Sequence, residues 1–285
     1  MSNPPQRMQC MEIRGGNQAI DQAFEAPGID VYVASDPFEG SSVGGGDIYY
    51  LTSCASGRIT RILLADISGH GASAAELAIG LRDLLRNHVN TINQNKFVQE
   101  MNRQFEEISG DSGFATAAVA TFFEPRRTLS ISLAGHPYPL VYRSSSMSWQ
   151  SVAATQEKDA QGIGNLPLGI GGASDYSTID IKLEPGDVFL IYSDALPESV
   201  DANGQQLGID GVLELLSQVD MTNIENVIPT LRTTLAGYSS SNLKEDDATM
   251  ILGQVSKTSI RWFDNIMAPF RLLKKAQDRT NLKTA

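Results

Sequence analysis

The feature that most constrains this chain is a pair of β-type segments around the small-residue cluster Ala55-Ser56-Gly57, within the stretch Val43 to Val89. Both segments are dense in Ile, Leu, Tyr and Thr, and together they read as strand, tight turn, strand. A two-residue hairpin centred on Ser56 and Gly57 sets Asp47 directly against Asp66 across the ladder. Like charges in direct opposition destabilise a sheet. A divalent cation reverses that penalty, because oxygen-rich carboxylate sites select hard ions such as Mg2+ and Mn2+. Gly44-Gly45-Gly46 clears side chains from the approach to Asp47, and Gly69-His70-Gly71 does the same after Asp66. The arrangement points to a metal site rather than to two solvated strand ends.

After Gly71 the period changes. Leu77, Leu81, Leu84 and Leu85 fall on one helical stripe, and Phe97, Met101, Phe105 and Ile108 mark a second amphipathic helix. Before the hairpin, Ile29 to Ser35 alternates as a strand, while residues 1–28 read as polar and irregular. Beyond the helices, strands are expected over 114–123, 128–133, 140–143 and 176–183. The stretch QEKDAQGIGN reads as a flap-sized loop, and VFLIYSD as a buried strand that delivers Asp194 at its tip. Two further helical patterns, around 212–216 and 224–235, precede a last strand opened by Asp246-Asp247. Many antiparallel strands with helices in pairs predict an α+β fold, a central antiparallel β-sandwich flanked by helix pairs.

Composition narrows the function classes. A net charge of −11 argues against non-specific nucleic-acid binding, so no nucleic-acid partner is expected. Cys10 and Cys54 make no disulfide framework, and neither begins a Cys-x5-Arg phosphate loop, which leaves a cysteine-nucleophile phosphatase without support. No apolar run is long enough to span a bilayer, and the first residues lack a signal-peptide core; the expected location is cytoplasmic. Residues 256–285 carry seven Lys or Arg against two Asp, and Phe263, Ile266 and Phe270 share helical spacing. This basic amphipathic tail reads either as a helix docked on the acidic body or as a contact for a membrane surface or partner.

What needs explaining is a set of aspartates at strand ends: Asp47, Asp66, Asp194 and Asp246 (or Asp247). The segments GGGDIYY, LLADISGHG, SLAGHPYPL, LPLGI, LEPGDVFLIYSDA and DDATMIL occur in that order. Together they resemble the SpoIIE-type branch of the metal-dependent protein phosphatases, the protein phosphatase 2C-like superfamily, from Asp30 to Val255. The resemblance implies a catalytic domain over 29–255 with two Mn2+ or Mg2+ ions. It also implies hydrolysis of phosphoserine or phosphothreonine on a phosphorylated protein substrate, in this branch often an anti-sigma-factor antagonist. Carried over by position, Asp66 bridges both metals with the Ile67 carbonyl beside it, Asp47 binds the second metal, and Asp194 and Asp246 bind the first. Asp247 supports them.

The chemistry expected of such a site is in-line attack by a metal-activated water, with no covalent enzyme intermediate. His70 is the candidate acid for the leaving alkoxide, or else a loop residue bonded to backbone. His136 reads as a structural turn residue, and His88 as core or helix capping. The sequence departs from the family pattern at Tyr50, where many relatives carry Asp, and at Ala195, where Gly is usual. Those departures leave open a catalytically weak relative acting as a phosphoprotein-binding module. A diguanylate cyclase is excluded, because Ile48-Tyr49 stands where that signature needs Glu-Phe.

Overall fold

The computed structural model describes residues 4–38, 44–68, 72–88, 90–109, 113–152, 163–164, 166–170 and 176–257. The first strands are β1 (Gln6–Arg7), β2 (Ile13–Gly16), β3 (Ile20–Ala26), β4 (Ile29–Asp36), β5 (Asp47–Ser53) and β6 (Ile59–Ile67). Helices α1 (Ala72–His88) and α2 (Gln94–Ser109) follow. Next come β7 (Ala115–Phe123), β8 (Thr128–Ala134), β9 (His136–Pro137), β10 (Leu140–Arg143), β11 (Ser148–Ser151), β12 (Ile163–Gly164), β13 (Ile179–Lys182) and β14 (Val188–Tyr192). Short α3 (Ala195–Glu198), then α4 (Gly208–Ser217), α5 (Val227–Tyr238) and β15 (Ala248–Val255) complete the described chain.

Two sheets stack face to face. One runs β1-β3-β4-β15-β14-β10-β11 and the other β13-β8-β7-β6-β5-β2. Val31, Val33, Tyr49, Leu51, Ile62, Leu64, Phe189, Ile191 and Ile251 meet between them as one buried cluster. The alternate residues point outward, as the two-residue period of a strand requires. On one side Ile48, Tyr50, Leu63 and Ala65 receive Leu77, Leu81, Phe97 and Met101 of the α1–α2 pair. On the other, Leu190, Tyr192, Met250 and Leu252 receive Val212, Leu216, Leu231 and Leu235 of the α4–α5 pair. Helices thus cover both outer faces, and the inner strands read as continuous apolar runs because both of their faces are buried. This is the expected α+β sandwich.

Two expectations need correction. The β5–β6 hairpin turns over four residues, 55–58, not two: the Cys54 N–H donates to the Ile59 carbonyl at 3.0 Å. The longer loop is symmetric about the same centre, so Asp47 still stands opposite Asp66. Residues 4–28 are also not irregular. β2 pairs with β5, β3 pairs with β4, and β1 lies parallel beside β3, so this segment serves both sheets. β2, with the sequence IRGG, has little strand character of its own, and its ladder to β5 makes it a strand. The flap-sized loop, apart from 163–164, and the tail beyond Lys257 lie outside the described residues.

Arg61 ties the helices to the sheet. It is fully buried on the helix side of β6, and no carboxylate among the described residues pairs with it. Its guanidinium donates to Thr121 Oγ1 at 3.0 Å and to the carbonyls of His88 and Thr91 at 3.4 and 2.7 Å, and it lies 4.0 Å above the Phe97 ring. Burial lowers its pKa to about 10, so it stays charged near neutral pH and anchors the end of α1.

β15 carries Asp246-Asp247 at its entrance, so its placement matters for the site. Gly253 on this strand faces Phe189 of β14, and a Cβ there would lie 2.2 Å from the ring. Gly253→Ala is expected to destabilise the protein by about 1–3 kcal/mol in urea unfolding, the usual cost of overpacking a filled core. Gly237→Ala on α5, where a methyl group meets nothing within 4 Å, should be neutral or stabilise by up to about 1 kcal/mol. Equal midpoints for Gly253→Ala and wild type would show that the ring does not rest on the glycine.

Candidate metal centre

At one end of the sandwich the apolar core gives way to hydroxyls. Beyond Val33, Ile191 and Ile251, the inner face of the larger sheet continues with Ser35, Ser193 and Thr249, all buried. Thr249 stands opposite Ser35, and their hydroxyls are 2.8 Å apart. The Thr249 N–H donates to Ser193 Oγ at 2.9 Å. From the facing sheet Asp47 enters this pocket and accepts hydrogen bonds from Ser193 and Thr249. It is 3% exposed, and its Oδ2 is buried with no hydrogen-bond partner among the described residues. Burial, and then the charge of Asp66, push its carboxyl well above the usual range.

Asp66 lies across the ladder from Asp47, one residue before the end of β6. A Cβ on Gly46 would sit 3.2 Å from Asp66 Oδ1, 3.3 Å from the Ile67 carbonyl oxygen and 3.4 Å from Asp247 Oδ2. Three oxygens therefore converge on a space that a glycine leaves open. At Gly45 the same atom would come within 2.4 Å of Asp247 Oδ1. Backbone donors hold Asp247 there: the N–H groups of Phe38 at 2.7 Å, Asp47 at 3.3 Å, and Gly46. The glycine run is a wrap around one carboxylate as well as a cleared approach.

The remaining acids surround these oxygens. Burial, and then the charges of Asp194, Asp246 and Asp247, raise the Asp66 pKa to about 6. Asp194 precedes α3 and is raised by burial and by Asp246. Asp246 is exposed and accepts the Asp247 N–H at 2.8 Å. Sequence reasoning missed Glu198, whose pKa is raised by burial and by Asp194 and Asp246. Its place one helical turn after Asp194 was the available signal. It also missed the Ser35–Thr249–Ser193 hydroxyls, whose partners lie in distant segments.

The donor set fits a hard cation. All the converging groups are oxygens, one carboxylate oxygen is buried without a partner among the described residues, and three acceptor oxygens border the space at Gly46. Among the described residues no three His, Cys, Asp or Glu side chains close on one point as a preformed cage. The tightest convergence is two carboxylate oxygens and a backbone carbonyl, with further acids around them.

His70 lies outside the described residues. His136 is structural: its Nε2 lies 3.1 Å from the Tyr192 carbonyl, so it must carry the proton, and Nδ1 accepts from Thr116 Oγ1 at 3.0 Å. Burial lowers its pKa to about 4, which leaves it neutral near neutral pH. His88, in the last turn of α1, stacks edge-on against Phe97 and faces Gln104 at 3.2 Å. Tyr50 points to the opposite face of its strand from Asp47 and donates to the Ala78 carbonyl at 3.3 Å. Its ring therefore packs against helix α1 and does not intrude on the acids. Ala195 is buried, and its backbone N–H donates to Asp194.

The sequence profile of stage II sporulation protein E (SpoIIE) matches residues 56–256. The chain belongs to the SpoIIE family. RsbU, a phosphoserine phosphatase of Bacillus subtilis (strain 168), is 23% identical over 225 residues, 79% of this chain and 63% of RsbU. The structure of the PP2C phosphatase domain, with a fragment of the regulatory domain, of SpoIIE from Bacillus subtilis superposes with a TM-score of 0.65 at 16% identity. That match covers 81% of this chain and 64% of the SpoIIE chain. RsbX in complex with magnesium matches with a TM-score of 0.59 at 20% identity, over 83% of this chain and all of RsbX. This SpoIIE-family chain thus has the protein phosphatase 2C-like fold and spans less than two thirds of RsbU. No helix among its described residues is long and apolar enough to cross a membrane.

The raised pKa of Asp66 makes a prediction with a definite sign. The folded protein holds that proton more tightly than the unfolded chain, so the contribution is stabilising below about pH 4 and is lost as pH rises towards 6. Above that range, ionised Asp66 costs on the order of 2–3 kcal/mol. In chelator, Asp66→Asn should unfold at higher urea than wild type near pH 7, with the gain shrinking to nothing near pH 4. A difference that stays constant with pH would remove the like-charge account.

Proposed function

We propose that this chain is a Mn2+- or Mg2+-dependent phosphatase that removes phosphate from serine or threonine of a signalling protein. The observation that carries this reading is the convergence of Asp66 Oδ1, the Ile67 carbonyl and Asp247 Oδ2 at Gly46, beside the unpartnered oxygen of Asp47. Membership of the SpoIIE family, the activity named for RsbU and the magnesium held by RsbX support it.

In this reading Asp66, the Ile67 carbonyl and Asp47 would hold one ion, and Asp66, Asp194 and Asp246 would hold the other. Asp247 accepts three backbone N–H groups and so fixes the Gly45-Gly46 wrap while offering Oδ2 to the shared space. When bound, the ions supply the Lewis acidity that ionises water near neutral pH and screens the phosphoryl oxygens. The chain's own work is to keep the carboxylates in place before the ions arrive. The Ser193 and Thr249 hydroxyls favour the charged form of Asp47, whose Oδ2 has no partner among the described residues. His70, four residues after Asp66, donates the proton that the serine alkoxide needs on leaving.

Turnover of p-nitrophenyl phosphate with Mn2+ tests this directly. Activity should vanish in chelator, and Asp66→Asn should lose more than roughly 100-fold, exceeding the usual cost of an outer-shell change. Wild type that binds Mn2+ but never turns over would favour a phosphoprotein-binding role instead. His70→Ala should cost roughly 100-fold or more on a phosphoserine peptide. It should cost far less on p-nitrophenyl phosphate, whose leaving group needs no proton. Equal losses on the two substrates would remove His70 from the acid role.

A further inference from the structure

The molecule is electrically lopsided in a way the phosphatase reading does not use. The acids gather at one end of the sandwich, where β6 finishes. At the other end, where β7 turns into β8, a cleft of about 550 Å3 is lined by Glu124, Arg126, Arg127, Thr128, Lys182 and Glu184, among others. Ile59, at the start of β6, pairs with Phe123 at this level, and Asp66 lies seven residues further along the same strand. At about 3.3 Å per residue, the two ends are roughly 20–25 Å apart.

We infer that this cleft is a docking site for an acidic peptide segment of a protein partner. Its cations are set by the backbone. A 3-10 turn over Glu124–Arg126 closes on Arg127, which takes a left-handed conformation with φ of 47°. Glycine or asparagine adopts that conformation more readily, yet an arginine occupies it. The Arg127 N–H donates to the Glu124 carbonyl at 3.0 Å, and its own carbonyl accepts the Leu183 N–H at 2.9 Å. Lys182 is in register with Thr128. Arg126 and Arg127, on the turn before β8, and Lys182, at the end of β13, thereby line one cleft.

None of these three side chains forms an ion pair with a described residue. Their neighbour Arg143 differs, since it is spent on Asp187 at 2.9 Å and on the Lys182 carbonyl at 2.7 Å. Of the two glutamates, Glu124 lays its stem against Gly28, where an added Cβ would lie 2.7 Å from its Cγ. Glu184 is the second acid of the lining. Three cations against two glutamates leave this lining net positive on a chain of net charge −11.

The lining also says which anion fits. Among the described residues it contains no aromatic side chain, so they offer no platform for a base or sugar ring. Its apolar members are Pro125 and Leu183, too few for an acyl chain. Two guanidinium forks match carboxylate geometry. β13, which carries Lys182, is the outermost strand of its sheet among the described strands, so an extended peptide can lie along it.

The test is binding and needs no catalysis, so it succeeds or fails separately from the phosphatase reading. Anisotropy of a fluorescein-labelled peptide of alternating Glu and Asp is measured with the full chain at low salt. Saturable binding is expected, weakened at least about tenfold by Arg126→Glu with Arg127→Glu and severalfold by Lys182→Glu, as for two and one lost charge contacts. Lys96→Glu, an exposed charge reversal on α2, should leave binding unchanged. Thermal melts confirm that each variant folds. Absence of saturable binding to wild type overturns the inference. So does equal binding by the double variant, which would place the contact on the basic tail or elsewhere. Selective binding of tripolyphosphate or phosphatidylserine vesicles in place of the peptide, lost in the same variants, also overturns it.

Discussion

The opposition of Asp47 and Asp66 across the β5–β6 ladder is the constraint on which the rest of the site depends. Two carboxylates facing each other on the inner side of a sheet are costly. The fold meets that cost by surrounding them with polar groups where the core would otherwise continue. Ser35, Ser193 and Thr249 replace the next apolar rung of the facing sheet, and two of them bond Asp47. The fold leaves part of the cost in place: burial and then the charge of Asp66 raise the pKa of Asp47. Asp47, buried and with one oxygen unpartnered among the described residues, faces the half-buried Asp66, and the pair is poised for positive charge.

The other acids reach this pair by different routes. Asp194 follows β14, and Asp246-Asp247 precede β15, strands that lie side by side in the opposite sheet. The two adjacent residues at the β15 entrance have divided their work. Asp247 turns inward and is held by the Phe38, Gly46 and Asp47 backbone, whereas Asp246 stays exposed. Only the closing of one sheet over the other brings these strand ends within reach. The fold itself persists in relatives at 16–20% identity.

Much of this was legible in the chain itself. Period-two and 3.6-residue patterns located the sandwich strands and both helix pairs. The mirror symmetry of the hairpin gave the Asp47–Asp66 register even though the loop is longer than expected, because symmetric lengthening does not slip a ladder. The N-terminal strands were not legible. β2 has almost no apolar content and is ordered by its partner β5, a term that local pattern does not contain.

The sequence alone determined that carboxylates would sit at strand ends, that glycines would flank them and that two would face each other, since register and alternation are local properties. Tertiary structure decided how those ends are used. It sent Tyr50 to the helix side, away from the acids, and wrapped Gly45 and Gly46 around Asp247. It also placed hydroxyls from the opposite sheet against Asp47 and left one of its oxygens without a partner. Each of these contacts joins segments up to about two hundred residues apart, and their strength comes from burial, which exists only once the two sheets have closed.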